Sequence, residues 1–355
     1  MIIKKIFSLA TSIISLFIIN FFSDISSKSD ENNIKLYSED NGILSIMYHR
    51  FNEHKYPSTN INMEIFKKHL EIVKNSKYNF LNPNEFDSKF NTSKSEKEVL
   101  ITIDDAFESF YNEAWPYLRD NKIPFILFVS TEPVGNKGYM TWDQIREIEA
   151  ADFSLIGHHS HSHEYLIEES EENFILDIET ANKIFKQELN YIPDLFSYPF
   201  GEYSKFMRDY ISQNFKYAFG QHSGVIDLNK NKFELPRFPI NEKYGEIKRF
   251  STLMRTLPLK FKKISPEDRY LLQSKNPPTV SIEFYENIKN LKQLNCFSNE
   301  GNKWRNSKIL FKEENLLEIE IAEKFIGERG RINCSLREKD GFWRWLGIQY
   351  VISEK

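Results

Sequence analysis

From Ile43 onward, short apolar runs recur between stretches patterned for helix, and this alternation predicts an α/β body. ILSIMYH, beginning at Ile43, reads as a buried strand ending on Tyr48, His49 and Arg50. Asn62 opens a helical pattern through Ile65, Phe66, Leu70 and Val73, and a polar loop from Ser88 to Glu98 leads into a second strand, Val99 to Asp104. A helix over 111–121, a strand over 124–130, a helix over 141–150 opened by a Thr141 cap, and a strand over 153–159 complete the series. Strands that alternate with helices at this rhythm form a mainly parallel sheet, either doubly wound or closed as an irregular (β/α) barrel, with active residues at the strand carboxyl ends.

Beyond about Lys260 the pattern changes to short alternating runs: TVSIEFY, KILFK, LLEIEIA and WLGIQYVI, with turns such as ERGR and EKDG between them. These predict a smaller C-terminal β-sandwich. Both cysteines, Cys296 and Cys334, fall there, and one disulfide is the simplest reading in an oxidising compartment. Trp304, Trp343 and Trp345 lie in the same region, as core indoles or as faces for sugar rings. At the other end, Lys4 and Lys5 precede an apolar stretch from Ile6 to Phe22, which reads as a signal peptide or an uncleaved signal anchor over 1–23. A Ser-, Asp-, Lys- and Asn-rich linker follows over 24–40. The expected divisions are then a catalytic domain over 41–258 and a β-rich accessory domain over 259–355, both outside the cytoplasm, with membrane association through the leader where it is retained.

Composition narrows the partners. The 355 residues include 40% hydrophobic positions, enough for a real core, and the formal charge of −4 comes from 47 basic and 51 acidic residues that are well mixed. That balance supplies no basic field for nucleic acid.

The candidate chemistry sits at the strand ends. Asp104 and Asp105 close one apolar run, and His159-Ser160-His161-Ser162-His163 closes another. His159 and His163, four apart on a tight turn, project to one side, and Asp105 can supply an oxygen ligand. Two imidazoles and one carboxylate hold a divalent ion while leaving positions open for water and substrate. Asp104, turned another way by the strand end, is free to act as a general base. His158 and His161 should face away from this cluster. Taken alone, a DD pair is more often a solvated turn or a helix cap, and it is the joint placement at strand ends that carries the reading.

ITIDDAF and IGHHSHSHEYL resemble the first two signatures of the polysaccharide deacetylases, the NodB-homology carbohydrate esterases, and YPFGEY (198–203) is similar to the third. The resemblance spans roughly residues 40–255. It implies Asp104 as base, Asp105, His159 and His163 as ligands of a divalent ion, usually zinc, and Tyr198, Pro199 and Phe200 at the substrate. It departs from the usual pattern at Ser197, where an arginine is expected, and in lacking a late Leu-x-His strand. Both gaps resemble the branch that acts on poly-β-1,6-N-acetylglucosamine, which implies His49 as general acid and Arg237, in LPRFPIN, as the replacement arginine. The expected activity is removal of N-acetyl groups from an extracellular or envelope glycan. An O-acetyl esterase and a non-catalytic carbohydrate-binding protein that keeps the fold are the alternatives.

Overall fold

The computed structural model describes residues 42–91, 97–286, 288 and 290–353. The expected leader and linker lie outside these residues.

The apolar runs form one curled parallel sheet. Its strands are β1 (Ile43–Tyr48), β2 (Tyr78–Phe80), β3 (Lys97–Asp104), β4 (Phe125–Val129), β5 (Ser154–His158), β6 (Leu195–Ser197), β7 (Tyr217–Phe219) and β8 (Phe238–Pro239). Their order is β8-β1-β3-β4-β5-β6-β7, with β2 paired to the first residues of β3. β1 and β4 are buried along their whole lengths, as strands covered on both faces must be. Leu235 bridges to Phe219 while Phe238 and Pro239 pair with β1, so the segment 235–239 reaches both edges and curls the sheet toward a barrel. This is the irregular (β/α) barrel-like form expected from the sequence.

Helices α1 (Met63–Lys74), α2 (Phe86–Asn91), α3 (Trp115–Asp120), α4 (Trp142–Glu149), α5 (Glu171–Leu189), α6 (Lys205–Asn214) and α7 (Ile247–Leu253) accompany the sheet. Their starts follow capping chemistry. Asn62, Ser170 and Ser204 cap α1, α5 and α6, and Thr141 with Gln144 makes a full capping box on α4. The helix expected over 111–121 is broken instead, with a wide π turn over Phe110–Ala114 before α3. Pro116 explains the break, since a proline is tolerated in the first turn of a helix and disrupts its interior.

The C-terminal strands are β9 (Thr256–Pro258), β10 (Phe261–Ser265), β11 (Tyr270–Leu271), β12 (Val280–Phe284), β13 (Asn295–Ser298), β14 (Arg305–Phe311), β15 (Leu316–Glu320), β16 (Arg329–Arg337) and β17 (Trp343–Ile352). Their order is β9-β17-β16-β13-β14-β15-β12-β10, with β11 on β17. The two layers expected of a sandwich are therefore halves of one continuous sheet, folded over a core that includes Leu317, Ile332, Leu346 and Tyr350. β14 belongs to both halves, pairing β13 near its start and β15 toward its end. Cys296 and Cys334 face each other in register on β13 and β16 and are joined as a disulfide. Trp345 packs edge-on against Phe238 at 5.8 Å between ring centres, while Trp304 stays 49% exposed. The second sheet meets the segment between β7 and β8 through a bridge between Gly224 and Leu346.

Candidate metal centre and active site

Strand register assembles the site. Tyr48 pairs with Ile103, so His49 emerges beside Asp104 as β1 and β3 end together. β5 lies next to β4, which pairs β3 through Asp104 and Phe128, and the histidine turn therefore begins at the same end of the sheet. The backbone then turns sharply. Asp105 (φ 74°) and Ala106 (φ 51°) take left-handed conformations after β3, as do Ser160 (φ 70°) and His163 (φ 56°) in the histidine turn. Such conformations cost on the order of 1–3 kcal/mol per non-glycine residue and cluster at functional sites. Here they separate the directions of Asp104 and Asp105 and bring His163 back toward β3.

One ligand atom each from Asp105, His159 and His163 lies within 4.8 Å of the others. His163 Nε2 is 3.1 Å, and His159 Nε2 3.3 Å, from Asp105 Oδ1. Asp105 Oδ1 and His159 Nε2 are nonetheless buried without a partner in hydrogen-bonding geometry. Buried polar atoms almost always find partners, so two that converge on one point without bonding each other have the donor arrangement a metal ion satisfies. His159 Nδ1 donates to the Ser197 carbonyl at 2.6 Å, which fixes the tautomer and turns the bare Nε2 into the cluster. The Asp177 carboxylate of α5 accepts from the backbone N–H groups of His161 (2.7 Å) and Ser162 (3.0 Å), pinning the turn.

Asp104 and Arg237 are both fully buried beside this cluster. Arg237 Nη1 donates to Asp104 Oδ1 at 2.7 Å and Nη2 to Oδ2 at 2.8 Å, the two-pronged geometry a guanidinium makes with a carboxylate. Arg237 is itself held by Gly220 O, Thr102 Oγ1 and Ser197 Oγ, at 2.9, 3.1 and 2.8 Å. The small hydroxyl at Ser197 leaves room for a guanidinium arriving from another segment, so an arginine does reach Asp104. Burial pushes the Asp104 carboxyl up, but Arg237, then His159 and His49, outweigh it and hold the pKa below its ordinary 3.8. Asp105 is pushed up by burial too, and His163 and His159 carry it well below that value. His49 goes the other way. Burial lowers its pKa more than Asp105 and Asp104 raise it, so the imidazole rests neutral, with Nδ1 buried and unpartnered.

Other expected positions are spread differently. His158 packs among Phe185, Phe196 and Phe215, and His161 Nδ1 meets Thr131 Oγ1 at 2.8 Å, so both lie off the cluster. Tyr198 and Pro199 are corrections. The Tyr198 side chain is fully buried and its hydroxyl donates to Phe233 O at 3.2 Å, while Pro199 is buried as well, so neither presents its side chain to a substrate. Phe200 alone of the three reaches the rim, stacked on Tyr165 with centres 4.4 Å apart and planes 7° apart, and 4.7 Å from His163. Tyr139, against Phe107 at 5.0 Å, is a rim residue that no motif announced, and its phenol is raised by burial and by the Asp105 charge.

Residues 91–218 match the family model described as polysaccharide deacetylase. The chain carries a polysaccharide deacetylase domain. Asp104, Asp105, His159 and His163 lie inside the matched stretch, and His49 and Arg237 lie outside it. YxkH of Bacillus subtilis, provisionally named a polysaccharide deacetylase, is 26% identical over 186 residues, which cover 51% of this chain and 65% of that one. The chain thus spans just under two thirds of that relative. A poly-β-1,6-N-acetyl-D-glucosamine N-deacetylase of Staphylococcus aureus is 23% identical over 247 residues, 61% of this chain and 85% of that one. Among solved structures, the Streptococcus pyogenes deacetylase PplD in complex with acetate aligns with a TM-score of 0.55 at 22% identity, covering 60% of this chain and 98% of PplD. IcaB from Ammonifex degensii aligns with a TM-score of 0.55 at 24% identity, covering 60% and 97%. At these identities the structures establish that the deacetylase domain shares their fold.

Proposed function

We propose that the chain is a metal-dependent hydrolase that removes N-acetyl groups from an extracellular or cell-envelope glycan of the N-acetylglucosamine type. The observation that carries this reading is the pairing of a convergent, partly orphaned Asp105-His159-His163 set with a buried carboxylate, Asp104, kept ionised by Arg237. A divalent ion held by those three residues, zinc by the donor set, would supply Lewis-acid polarisation of the acetyl carbonyl. Asp104 accepts the proton of the attacking water, and Arg237 keeps that carboxylate charged and aimed. His49, protonated from solvent before the C–N bond breaks, delivers that proton to the leaving nitrogen, which cannot depart as an amine anion, and the proton held by Asp104 returns to solvent. The products are acetate and a free amine.

One observation favours a second reading. His49 Nδ1 is buried with no partner to hold a proton on the ring, and O-acetyl ester hydrolysis needs that proton less, because an alkoxide leaves with less help than an amide nitrogen. Acetate release from a panel of N-acetylated and O-acetylated glycans, with and without chelator, separates the two. The deacetylase reading expects chelator-sensitive release from an N-acetylglucosamine polymer or oligomer, and release from O-acetyl substrates alone would replace it with the esterase.

A further inference from the structure

The turn that carries Phe200 is gripped from the C-terminal sheet. Arg329 on β16 donates Nε to the Glu202 carboxylate, which is only 3% exposed, and its guanidinium lies 5.5 Å from the centre of the Phe200 ring. From β17, Gln349 Nε2 reaches the carbonyls of Phe200 and Gly201, each at 3.4 Å. Arg331 Nε donates to Gln349 Oε1 at 3.1 Å and so sets which way that amide points. The gripped backbone is not one a free loop would keep. Phe200 has φ 57°, and Gly201 has φ 70° with a Cβ there meeting Gln221 N at 2.3 Å. Beyond Phe200, Tyr165 lies parallel to it and is 42% exposed, and the Phe200 ring itself is 4.7 Å from that of His163. PplD and IcaB are almost used up, at 98% and 97%, in matching 60% of this chain, so their likeness implies no such grip.

We propose that the C-terminal sheet is part of the substrate site: Arg329 and Gln349 are positioning residues that hold Phe200, and through it Tyr165, as an aromatic platform for a pyranose ring beside His163. A flat, partly exposed ring pair offers a sugar the apolar face it stacks on, and holding it rigid lowers the ordering cost of binding. The proposal deepens the glycan reading and rests on it for the identity of the ligand.

The test uses the full chain with Gln349→Ala, Tyr165→Ala, and the pair Arg329→Met with Glu202→Gln, which removes both charges so that no carboxylate is stranded. KM and kcat are measured on an N-acetylglucosamine pentamer, alongside turnover of 4-nitrophenyl acetate, which is too small to span the platform. Each variant should raise KM for the pentamer about tenfold while kcat and ester turnover stay within about threefold. An unchanged KM, or equal losses of kcat on both substrates, overturns the platform. Amide hydrogen exchange over 198–203 in the absence of substrate decides the grip independently. Exchange about tenfold faster in Gln349→Ala and in the paired variant is expected, and unchanged exchange overturns it. If the wild type releases no acetate from either substrate, the functional reading fails, and the exchange result still stands or falls by itself.

Discussion

Two of the charge clusters among the described residues, one around Glu234 and one around Asp104, differ in what they leave unsatisfied. Behind the first sheet, Glu234 is met by Arg208, by Asn231 at 3.2 Å, by Tyr203 Oη at 3.3 Å and by Arg269 at 3.6 Å. It borders a cavity of about 430 Å³ shared with His222 and Trp345. Every oxygen of that carboxylate has a donor. At the strand ends, Asp104 is equally well held by Arg237, but Asp105 Oδ1, His159 Nε2 and His49 Nδ1 beside it are buried and unpartnered. The first arrangement is that of a satisfied network, and the second leaves three polar atoms without partners. Burial and arginine pairing alone do not tell them apart, and a pocket does not either, since the cavity lies beside the satisfied cluster.

Substitutions should break this comparison at different points. Asp104→Asn should cut acetate release by about a thousandfold, a typical cost of losing a general base, whereas Glu234→Gln should leave turnover within about twofold and lower only the unfolding free energy. Steady-state rates set beside denaturant unfolding would show it. Arg237→Met should cost about 3–5 kcal/mol by stranding a buried carboxylate, and should also move the acid limb of kcat/KM to higher pH because the Asp104 pKa rises without its partner. Arg208→Met should lower stability without moving that limb.

The satisfied cluster also predicts a pH dependence. Burial lowers His222 to about 4, and lowers His69, stacked on Phe250 at 4.0 Å, to about 4 as well. Both lie below the ordinary 6.5, so the unfolded chain binds protons that the native state refuses. Their contribution is fully present above pH 6.5 and is lost as pH falls toward 4, about 3 kcal/mol for each histidine. The protein should therefore unfold at progressively lower denaturant between pH 6.5 and 4. His69→Gln and His222→Gln should flatten that slope without altering the pH profile of turnover. The smallest effect expected concerns His49. His49→Gln should lower amide turnover by about a hundredfold and ester turnover by less than about tenfold, because only the amide needs its proton. Equal losses would remove His49 as acid.

Much of the sheet is readable from the chain because parallel strands buried on both faces appear as unbroken apolar runs, as in ILSIMY and FILFV. The same runs show where strands end, and so why Asp104, Asp105, His49 and the histidine turn collect together. What the chain hides is side-chain direction and long-range closure. Tyr198 sits in a motif, yet the turn over 199–201 buries it and exposes its neighbour Phe200. The Arg237 contact with Asp104 joins residues 133 apart, and that of Gln349 with Phe200 joins residues 149 apart. Asp177, on a helix face, gives no local sign that it pins the histidine turn. Local alternation shows which face a strand buries and is silent on a strand such as β14, which pairs into both halves of the C-terminal sheet.

The central claim is that Asp105, His159 and His163 hold one divalent ion while Asp104 stands apart as base. Metal titration of Asp104→Asn and Asp105→Ala, paired with acetate release from an N-acetylglucosamine oligomer, tests it most directly. The account predicts one ion per chain and about a thousandfold less release for Asp104→Asn, and neither ion nor release for Asp105→Ala. A full complement of ion in Asp105→Ala, or undiminished release by Asp104→Asn, would contradict it.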